Sequence, residues 1–205
     1  QEFEHSNESI GVDVGVKELA VVSDGSVYHS INKTQKVKKI NKRIKRKQKQ
    51  LARKYEANKL ALNKYVDTKN ILKLNKEIKL LNRKLTNIRF NYIHHLTSDL
   101  VKKLPKRIVI EDLIITEMTK NKYLAKQIKS QNLFEFINQI AYKCDKYGIE
   151  LVKANKWYPS SKLCCVCGKK NNKLKLSDRI YKCECGNVID RDLNAAINLS
   201  KYSLN

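Results

Sequence analysis

"SIGVDVGVKELAVVSDGSVYHS", residues 9–30, decides the fold of this chain. β-Branched residues dominate two runs of this stretch, and a third short run follows the dipeptide Asp24-Gly25. Such runs favour strands, and Asp-Gly is typical of a hairpin turn, where a positive φ is needed. We therefore predict strands at about 10–15, 18–23 and 26–30. One acid, Asp13, lies inside the first of them.

The segment that follows is predominantly helical in character. All six glycines lie outside residues 26–147, and Pro105 is the one proline within that interval. From Lys33 to Lys64 there are fourteen Lys or Arg against the single acid Glu56, while apolar residues recur at helical spacing. After a polar break, apolar residues return at alternating spacings of three and four: Ile71, Leu74, Ile78, Leu81, Leu85, Ile88 and Tyr92. This pattern is typical of a heptad seam and predicts an antiparallel helical hairpin, an insertion over about 33–104.

The basic helix is a candidate nucleic-acid contact. Its excess of bases is too large for neutralisation by salt bridges within the helix, although a solvated coiled coil whose charges only keep it soluble is the alternative. The candidate phosphate-binding residues are Lys38, Lys39, Lys42, Arg43, Lys45, Arg46, Lys49 and Arg53.

A second set of strands follows the hairpin. "KRIVIEDLII", residues 106–115, reads as a buried strand with Glu111 and Asp112 near its end, and "IELVKA", residues 149–154, as another. Between them, helical spacing runs from Leu133 to Cys144 and stops at Gly148. The order predicts an α/β domain with a central mixed sheet and long helical insertions. Cys144, on the apolar face of its helix, is expected to be a reduced core thiol.

The overall charge limits the class of partner. The 205 residues contain 43 Lys and Arg against 20 Asp and Glu, a net charge of +23 with a pI near 9.8. Such a surface attracts a polyanion, and nucleic acid is the first expectation, with an anionic membrane as the competitor. The sequence has neither an apolar stretch long enough to span a bilayer nor a signal-peptide pattern. We therefore expect no membrane partner and an intracellular location.

Five of the six cysteines fall within twenty-two residues. Cys164-x-x-Cys167-Gly and Cys183-x-Cys185-Gly could supply four thiolates to one tetrahedral zinc ion, in a zinc ribbon over about 160–187. A glycine after each pair permits the tight turn that directs sulfur toward the metal. The second pair is one residue shorter than the usual spacing, and Cys165 could replace Cys164. A redox or disulfide role is the alternative, which an intracellular location disfavours.

Three acids form a candidate catalytic set. Asp13 lies in the first strand, Glu111 at the end of the fourth, and Asp190 or Asp192 at the start of the last helix. Carboxylates in apolar strands are costly to bury unless a cation or hydrogen bonds compensate them. Three converging carboxylates can hold two Mg²⁺ ions about 4 Å apart for phosphodiester cleavage. Taken singly, any of these acids could be structural, and Asp190 could simply cap the helix.

The motifs together resemble a known family. "GVDVGVKELAVVSDG", "IVIEDL", "PSSKLCCVCG" and "CECGNVIDRDLNAAINL", in this order, resemble the RuvC-type nuclease domain of the TnpB family. These proteins are transposon-associated RNA-guided DNA endonucleases, related to the compact type V CRISPR nucleases. The resemblance covers nearly the whole chain, including the basic insertion and "NKYLAKQIKSQNLFEF", residues 121–136.

The resemblance implies a fold, a site and cofactors. It implies an RNase H-like (RuvC-type) domain over 1–159 and 188–205, in which Asp13, Glu111 and Asp192 bind catalytic Mg²⁺ or Mn²⁺. Asp190 is left as a cap or supporting residue, with Arg191 and Asn194 beside the metal centre. The cysteines Cys164, Cys167, Cys183 and Cys185 are expected to bind one structural Zn²⁺. DNA is the implied substrate and guide RNA the implied partner, in the cytoplasm of a bacterium or archaeon, close to the nucleoid.

Two other functions compete with cleavage. Family members have an N-terminal half that binds guide RNA and reads the target-flanking motif, and no such half is present in these 205 residues. The chain begins at Gln1, and we expect it to be a fragment or to depend on a partner chain. One alternative is therefore a cleavage-inactive TnpB-like module that binds RNA or DNA. A basic zinc-ribbon protein that coats RNA is the other, but it leaves Asp13 and Glu111 unexplained.

Overall fold

The structure is a computed structural model that describes residues 3–62, 66–113, 120, 125, 128, 130–175 and 177–203. It divides into two compact units, one of residues 1–30 and 93–205 and the other of residues 31–92. The strands are β1 Ser6–Val14, β2 Glu18–Val22, β3 Val27–His29, β4 Pro105–Glu111, β5 Glu150–Ala154, β6 Ile180–Lys182 and β7 Val188–Asp190. The α-helices are α1 Gln35–Leu62, α2 Lys69–Val101, α3 Leu133–Tyr147 and α4 Arg191–Ser200, and a 3₁₀ turn spans Ile31–Lys33.

A mixed five-stranded sheet is the centre of the larger unit. Its strand order is β3-β2-β1-β4-β5. β1 pairs antiparallel with β2 and parallel with β4, and β4 pairs parallel with β5. Because β1, β4 and β5 run in the same direction, their carboxyl ends lie at the same edge of the sheet. The three strands end at this edge with Val14, Glu111 and Ala154.

Helix α4 packs directly on β1 at Gly11. A Cβ atom added to Gly11 would overlap with the carbonyl oxygen of Ala196 and the backbone nitrogen of Ser200. Only glycine therefore allows this close approach of helix and strand. Ala195, Ala196 and Leu199 of α4 are buried, so the helix is held on the sheet by its small and apolar face.

The smaller unit is the predicted helical hairpin. Val37, Ile40 and Ile44 of α1 form a core cluster with Leu85 of α2. Lys47 forms an ion pair with Glu77, and Arg89 Nε donates to Asn32 Oδ1 at 3.0 Å, so the two helices run antiparallel. This confirms the predicted pairing of the basic helix with the heptad seam.

Several strand and helix predictions are confirmed, with one shortened. The first three strands and β5 occur where the sequence predicts them, although β1 begins earlier, at Ser6, because the Ser6 N–H donates to Leu104 O at 2.8 Å. The strand predicted over 106–115 ends at Glu111, because Leu113 N–H turns back onto the Glu111 carbonyl. Residues 114–115, and residues 121–124, 126–127 and 129 of the 121–136 motif, lie outside the described residues.

No helix among the described residues has the length and apolar character needed to cross a lipid bilayer.

Candidate functional site

Asp13 and Glu111 lie side by side at the carboxyl edge of the sheet. In the parallel β1–β4 pair, Val12 is opposite Ile110, so the next residues of the two strands are Asp13 and Glu111. Both are half-buried, whereas their neighbours Val12 and Ile110 are fully buried. The register of two core strands therefore brings together two carboxylates that are 98 positions apart in the sequence.

The start of α4 supplies the third acid. Asp190 is the N-cap of the helix, and its Oδ1 accepts hydrogen bonds from the backbone N–H of Asp192 at 2.9 Å and of Leu193 at 3.2 Å. The capping role expected of Asp190 is thus observed. Asp192 lies in the first turn, where Arg191 Nη2 is 3.3 Å from its Oδ1 and Arg179 Nη1 is 3.9 Å from its Oδ2.

The charges of Glu111 and Asp192 affect the protonation of Asp13. The pKa of Asp13 is raised well above its ordinary value, first by burial and then by the negative charges of Glu111 and Asp192. Arg191 opposes this shift and Asp190 adds to it slightly. A carboxyl group surrounded in this way resists ionisation unless a cation compensates the repulsion. The position is therefore one where a divalent cation would be stabilised.

The donor chemistry fits Mg²⁺ or Mn²⁺, which prefer carboxylate oxygens. The carboxylates are not packed as a preformed shell for one ion, however. In the cysteine cluster all ligand atoms lie within 4.8 Å of one another. Among the described residues, the carboxylate oxygens of the three acids do not meet that distance. The acids are coupled through their charges, and one ion bound by all three would require them to move closer.

Ser160 supports Glu111. Its buried hydroxyl donates to Glu111 Oε1 with 2.5 Å between the oxygens. The Ser160 carbonyl in turn accepts from Asn198 Nδ2 of α4 at 2.7 Å. This single residue therefore links the acid at the end of β4 to the helix that carries Asp192.

The four predicted cysteine ligands form a compact cluster. Cys164 Sγ is 3.7 Å from Cys185 Sγ, and Cys167 Sγ is 3.6 Å from Cys183 Sγ. Four sulfurs at about 2.3 Å from a tetrahedral zinc ion are separated by about 3.8 Å. The observed spacing fits that shell, so the cluster could hold a zinc ion. The described cysteines are free thiols, without a disulfide among them.

Two tight turns aim the sulfurs at one another. Gly168 and Gly186 have φ values of 72° and 90°, which residues with a side chain rarely adopt. Gly168 N–H donates to Cys164 O, and Gly186 N–H donates to Cys183 O. The second turn closes the β6–β7 hairpin despite its shorter cysteine spacing. Both turns therefore form as predicted.

Cys164, and not Cys165, belongs to the cluster. The Cys165 N–H donates to Asn194 Oδ1 at 3.0 Å, and Asn194 Nδ2 donates to Leu163 O at 2.6 Å. Buried Asn194 therefore holds the backbone on both sides of Cys164, at Leu163 and at Cys165. This arrangement fixes Cys165 against α4 while Cys164 contributes its sulfur to the cluster.

Two thiols of the cluster have pKa values shifted in opposite directions. Burial raises the pKa of Cys164, but the N–H groups of Cys167 and Val166 and the Asn187 amide outweigh it and lower the value to about 6. The Asn187 N–H lowers the pKa of Cys185, but the neighbouring thiols of Cys183, Cys167 and Cys164 and burial together outweigh it and raise the pKa to about 12. Four thiolates at this spacing repel one another, and a divalent cation would remove that repulsion.

The basic residues of α1 point away from the hairpin core. All eight candidate residues are exposed: Lys38, Lys39, Lys42, Arg43, Lys45, Arg46, Lys49 and Arg53. Six basic residues of α1 line one shallow groove of about 670 Å³, with Lys39 at one end and Lys49 at the other. These exposed side chains give α1 a strongly cationic surface.

Sequence reasoning missed three residues of the site: Ser160, Asn198 and Arg179. Each acts through contacts with chain segments far away in the sequence, so no local pattern marks it. The motif "PSSKLCCVCG" contributes to the family resemblance and contains the first cysteine turn, but its pattern does not mark Ser160 as the residue that binds Glu111.

The fold and site define a basic α/β protein with clustered acids and a cysteine ribbon. Residues 1–122 match the family model described as "Probable transposase", and residues 134–199 match the model described as "Cas12f1-like, TNB domain". The chain belongs to the TnpB family.

Similar proteins agree with this placement. A protein of Streptomyces pristinaespiralis named "Putative RNA-guided DNA endonuclease" is 32% identical over 191 residues, which is 93% of this chain and 44% of that protein. "Putative RNA-guided DNA endonuclease InsQ" of Escherichia coli K12 is 30% identical, over 93% of this chain and 48% of the relative. The chain therefore spans less than half the length of these relatives.

A solved structure shares the fold. It is a Cas12f1–sgRNA–target DNA complex, which matches 98% of this chain and 51% of its own with a TM-score of 0.63 and 23% sequence identity. This likeness supports the mixed α/β architecture described above.

Proposed function

We propose that the chain is the metal-dependent DNA endonuclease domain of an RNA-guided, transposon-associated nuclease. The observation that carries the proposal is the position of Asp13, whose pKa is raised by burial and by the charges of Glu111 and Asp192. Three mutually repelling carboxylates are unfavourable in the absence of cations and suited to binding them. A relative 32% identical to the chain is named as an RNA-guided DNA endonuclease, which supports the same activity.

Asp13, Glu111 and Asp192 would hold the catalytic Mg²⁺ or Mn²⁺. When bound, two such ions activate a water nucleophile and stabilise the leaving oxygen of the phosphodiester. The protein's own contribution is to position the acids. Ser160 fixes one oxygen of Glu111, and Arg191 and Arg179 lie against the two oxygens of Asp192.

We propose further that the sheet is RNase H-like and of the RuvC type. The antiparallel β1–β2–β3 strands beside the parallel β1, β4 and β5 support this assignment, as does the likeness to Cas12f1. The nuclease domain would comprise 1–159 and 188–205, with the helical insertion over about 33–104 and the zinc ribbon over 160–187. One Zn²⁺ on the four cysteines would stabilise the ribbon.

The proposed partners are target DNA and a guide RNA. A similar structure is a complex with sgRNA and target DNA, and the exposed bases of α1 supply a cationic surface for phosphate. The relatives are about twice as long, so guide binding and target choice would involve further residues or a partner chain. Such a partnership would take place in the cytoplasm, close to the nucleoid.

Cleavage is tested with labelled single-stranded and duplex DNA, in Mg²⁺ or Mn²⁺ and in the metal-free buffer. Asp13→Ala, Glu111→Gln and Asp192→Asn should each abolish metal-dependent product. Two variants are matched controls. Asp112→Asn removes the exposed acid next to Glu111, and Asp190→Asn removes a charge while keeping a good helix cap.

The outcome separates the candidate functions. Product that survives in all three variants would show that the acids are not catalytic. Binding without cleavage by the wild-type chain, even with guide RNA and the remaining half of a longer relative supplied, would instead favour a cleavage-inactive binding module.

A further inference from the structure

Trp157 is an exposed tryptophan in the loop that follows β5. It is the one tryptophan of the chain, and its side chain is 79% exposed. Tryptophan is usually well buried, since its ring carries a large apolar area. An indole that a protein leaves in solvent at a functional edge is therefore a candidate for contact with a ligand.

The backbone beneath the indole is fixed by hydrogen bonds. Asn155 Oδ1 accepts from the Trp157 N–H at 2.9 Å, and Asn155 N–H donates to the Tyr202 hydroxyl at 3.3 Å. The Tyr158 hydroxyl donates to Asn198 O at 3.1 Å. The rings of Tyr158 and Tyr202 meet edge to face, 4.9 Å apart, and pack on the sheet core. Asn155 and Tyr158, which flank Lys156 and Trp157 in the loop, are thus anchored, while the Trp157 ring is not buried.

The loop that carries Trp157 leaves the sheet at the same edge as the acids. β5 runs parallel to β4, with Ala154 opposite Glu111, and the loop begins at the next residue. Three residues after Trp157, the Ser160 hydroxyl binds the Glu111 carboxylate. The indole is therefore tied to the acid through a short and well-bonded segment.

A cation accompanies the ring. Lys156 Nζ lies 4.9 Å from the centroid of the Trp157 ring, within cation–π range. Proteins that bind unpaired nucleic acid combine such features, because bases stack on aromatic rings while basic side chains contact the phosphates.

We propose that Trp157 and Lys156 form a stacking platform for an unpaired base of the strand that enters the active site. The inference rests on the proposed nuclease function, since that function supplies the strand. The ring would hold a base by stacking, and Lys156 would contact a flanking phosphate. Because the loop also positions Ser160, the platform would set where the strand lies relative to Glu111.

The test uses the fluorescence of the single tryptophan. The full chain is titrated with oligothymidylate, with oligouridylate and with an abasic oligonucleotide of equal length, in buffer without Mg²⁺ or Mn²⁺. Stacking should quench the emission with the first two probes and not with the abasic strand, which has the same phosphates. Stronger quenching by oligothymidylate would identify DNA as the source of the base, and stronger quenching by oligouridylate would identify RNA; both support the platform.

Affinity is measured separately by the anisotropy of labelled oligothymidylate. Trp157→Ala should weaken binding by about 5- to 100-fold, as expected for the loss of one stacked base. Trp157→Phe should retain most of the affinity, because it keeps an aromatic face. Phe134→Ala, which removes another exposed aromatic ring on α3, is the matched control and should bind like the wild type.

Two results would overturn the inference. One is equal quenching by the abasic strand, and the other is unchanged affinity in Trp157→Ala. No response to any oligonucleotide would also overturn it and would favour a protein-binding role for the ring. A chain that is quenched but never cuts DNA contradicts the proposed nuclease while the platform stands, so the two failures are distinguishable.

Discussion

The hydroxyl of Ser160 donates a hydrogen bond to the carboxylate of Glu111, with 2.5 Å between Oγ and Oε1. Ser160 lies between β5 and the first cysteine turn, and Asn198 of α4 binds its carbonyl. One oxygen of the candidate catalytic acid is therefore oriented by the segment that leads into the cysteine ribbon. The ribbon and the acid site are directly connected along the chain, since Cys164 follows Ser160 by only four positions.

Ser160→Ala should lower the rate of metal-dependent cleavage by about 10- to 100-fold, the usual cost of losing a group that orients a metal ligand. The Mg²⁺ concentration needed for half-maximal rate should rise, because Glu111 loses its orientation. The affinity for DNA, measured in the absence of divalent ions, should not change. Cleavage rates over a Mg²⁺ titration provide the measurement.

Ser161→Ala is the control for Ser160, since it removes the adjacent hydroxyl. Ser160→Thr keeps a hydroxyl and should recover part of the rate. An unaltered Mg²⁺ dependence in Ser160→Ala would show that the hydrogen bond has no role in positioning the acid.

Asp13→Asn should stabilise the chain in metal-free buffer at neutral pH. The folded-state pKa of Asp13 is raised, so the ionised carboxylate destabilises the fold at neutral pH. The variant should melt at a higher temperature than the wild type. In a chain of this size, each kcal/mol gained in the free energy of unfolding raises the melting temperature by about 2–4 °C. The advantage should shrink as the pH falls through the raised folded-state pKa, and it should vanish below the ordinary value of 3.8, where Asp13 is protonated in both the folded and unfolded states.

Thermal melting at several pH values tests this, with Asp112→Asn as the control for loss of a nearby exposed acid. Added Mg²⁺ should raise the melting temperature of the wild type more than that of Asp13→Asn. A wild type that is more stable than the variant at neutral pH without metal would contradict the electrostatic account of the site.

The sequence predicts elements with strong local patterns and misses contacts set by register. The strands of residues 9–30 and the heptad of α2 depend on their own periodicity, and they are found as predicted. By contrast, Ser160 meets Glu111 because β4 and β5 pair in one particular register, which no local pattern encodes. β4 ends at Glu111, before the predicted residue 115, because its partner β5 ends at Ala154, opposite Glu111. The apolar residues that follow Glu111 in the sequence do not reveal where the partner strand ends.

The sequence also does not predict which of the two adjacent cysteines belongs to the cluster. Cys164 and Cys165 have the same chemistry, and Asn194 on a distant helix decides which of them turns toward the cluster. The proximity of Asp13 and Glu111, on the other hand, was predictable in outline, because the carboxyl ends of parallel strands meet at one edge.

Removing zinc should unfold the ribbon. The wild-type chain should bind one equivalent of Zn²⁺, and a chelator should lower its melting temperature, because a structural zinc contributes on the order of 10 kcal/mol to folding. Cys164→Ser should lose the ion. Cys165→Ser should keep it, since its sulfur lies outside the cluster. Metal content by atomic emission and melting curves with chelator give the readout, and equal zinc loss in both variants would contradict the assigned ligand set.

The basic surface of α1 should contribute to phosphate binding. Replacing Lys42, Arg46 and Lys49 with Gln removes three charges from one exposed face of the helix. If each contacts a phosphate, the slope of log K against log salt for duplex DNA should fall by about 2.7, at 0.9 for each contact. Replacing Lys76, Lys79 and Arg83 of α2 removes the same charge from the other helix. Equal losses in the two triple variants would show that net charge alone, and no α1 surface, binds the nucleic acid.

Gly11→Ala should separate α4 from the sheet and abolish cleavage. The added methyl group would meet backbone atoms of Ala196 and Ser200, which have no side-chain rotation available to relieve the overlap. Overpacking typically costs about 1–3 kcal/mol, and a backbone clash should lie at or above the upper end of that range. Because α4 carries Asp192, its displacement would move one acid away from Asp13 and Glu111.

Gly15→Ala is the matched control, since the atom nearest to its added Cβ, Glu18 O, lies at 3.4 Å and a small shift would accommodate the methyl group. Thermal melting and cleavage assays of both variants test the role of this contact, and a Gly11→Ala chain that melts and cuts like the wild type would exclude it.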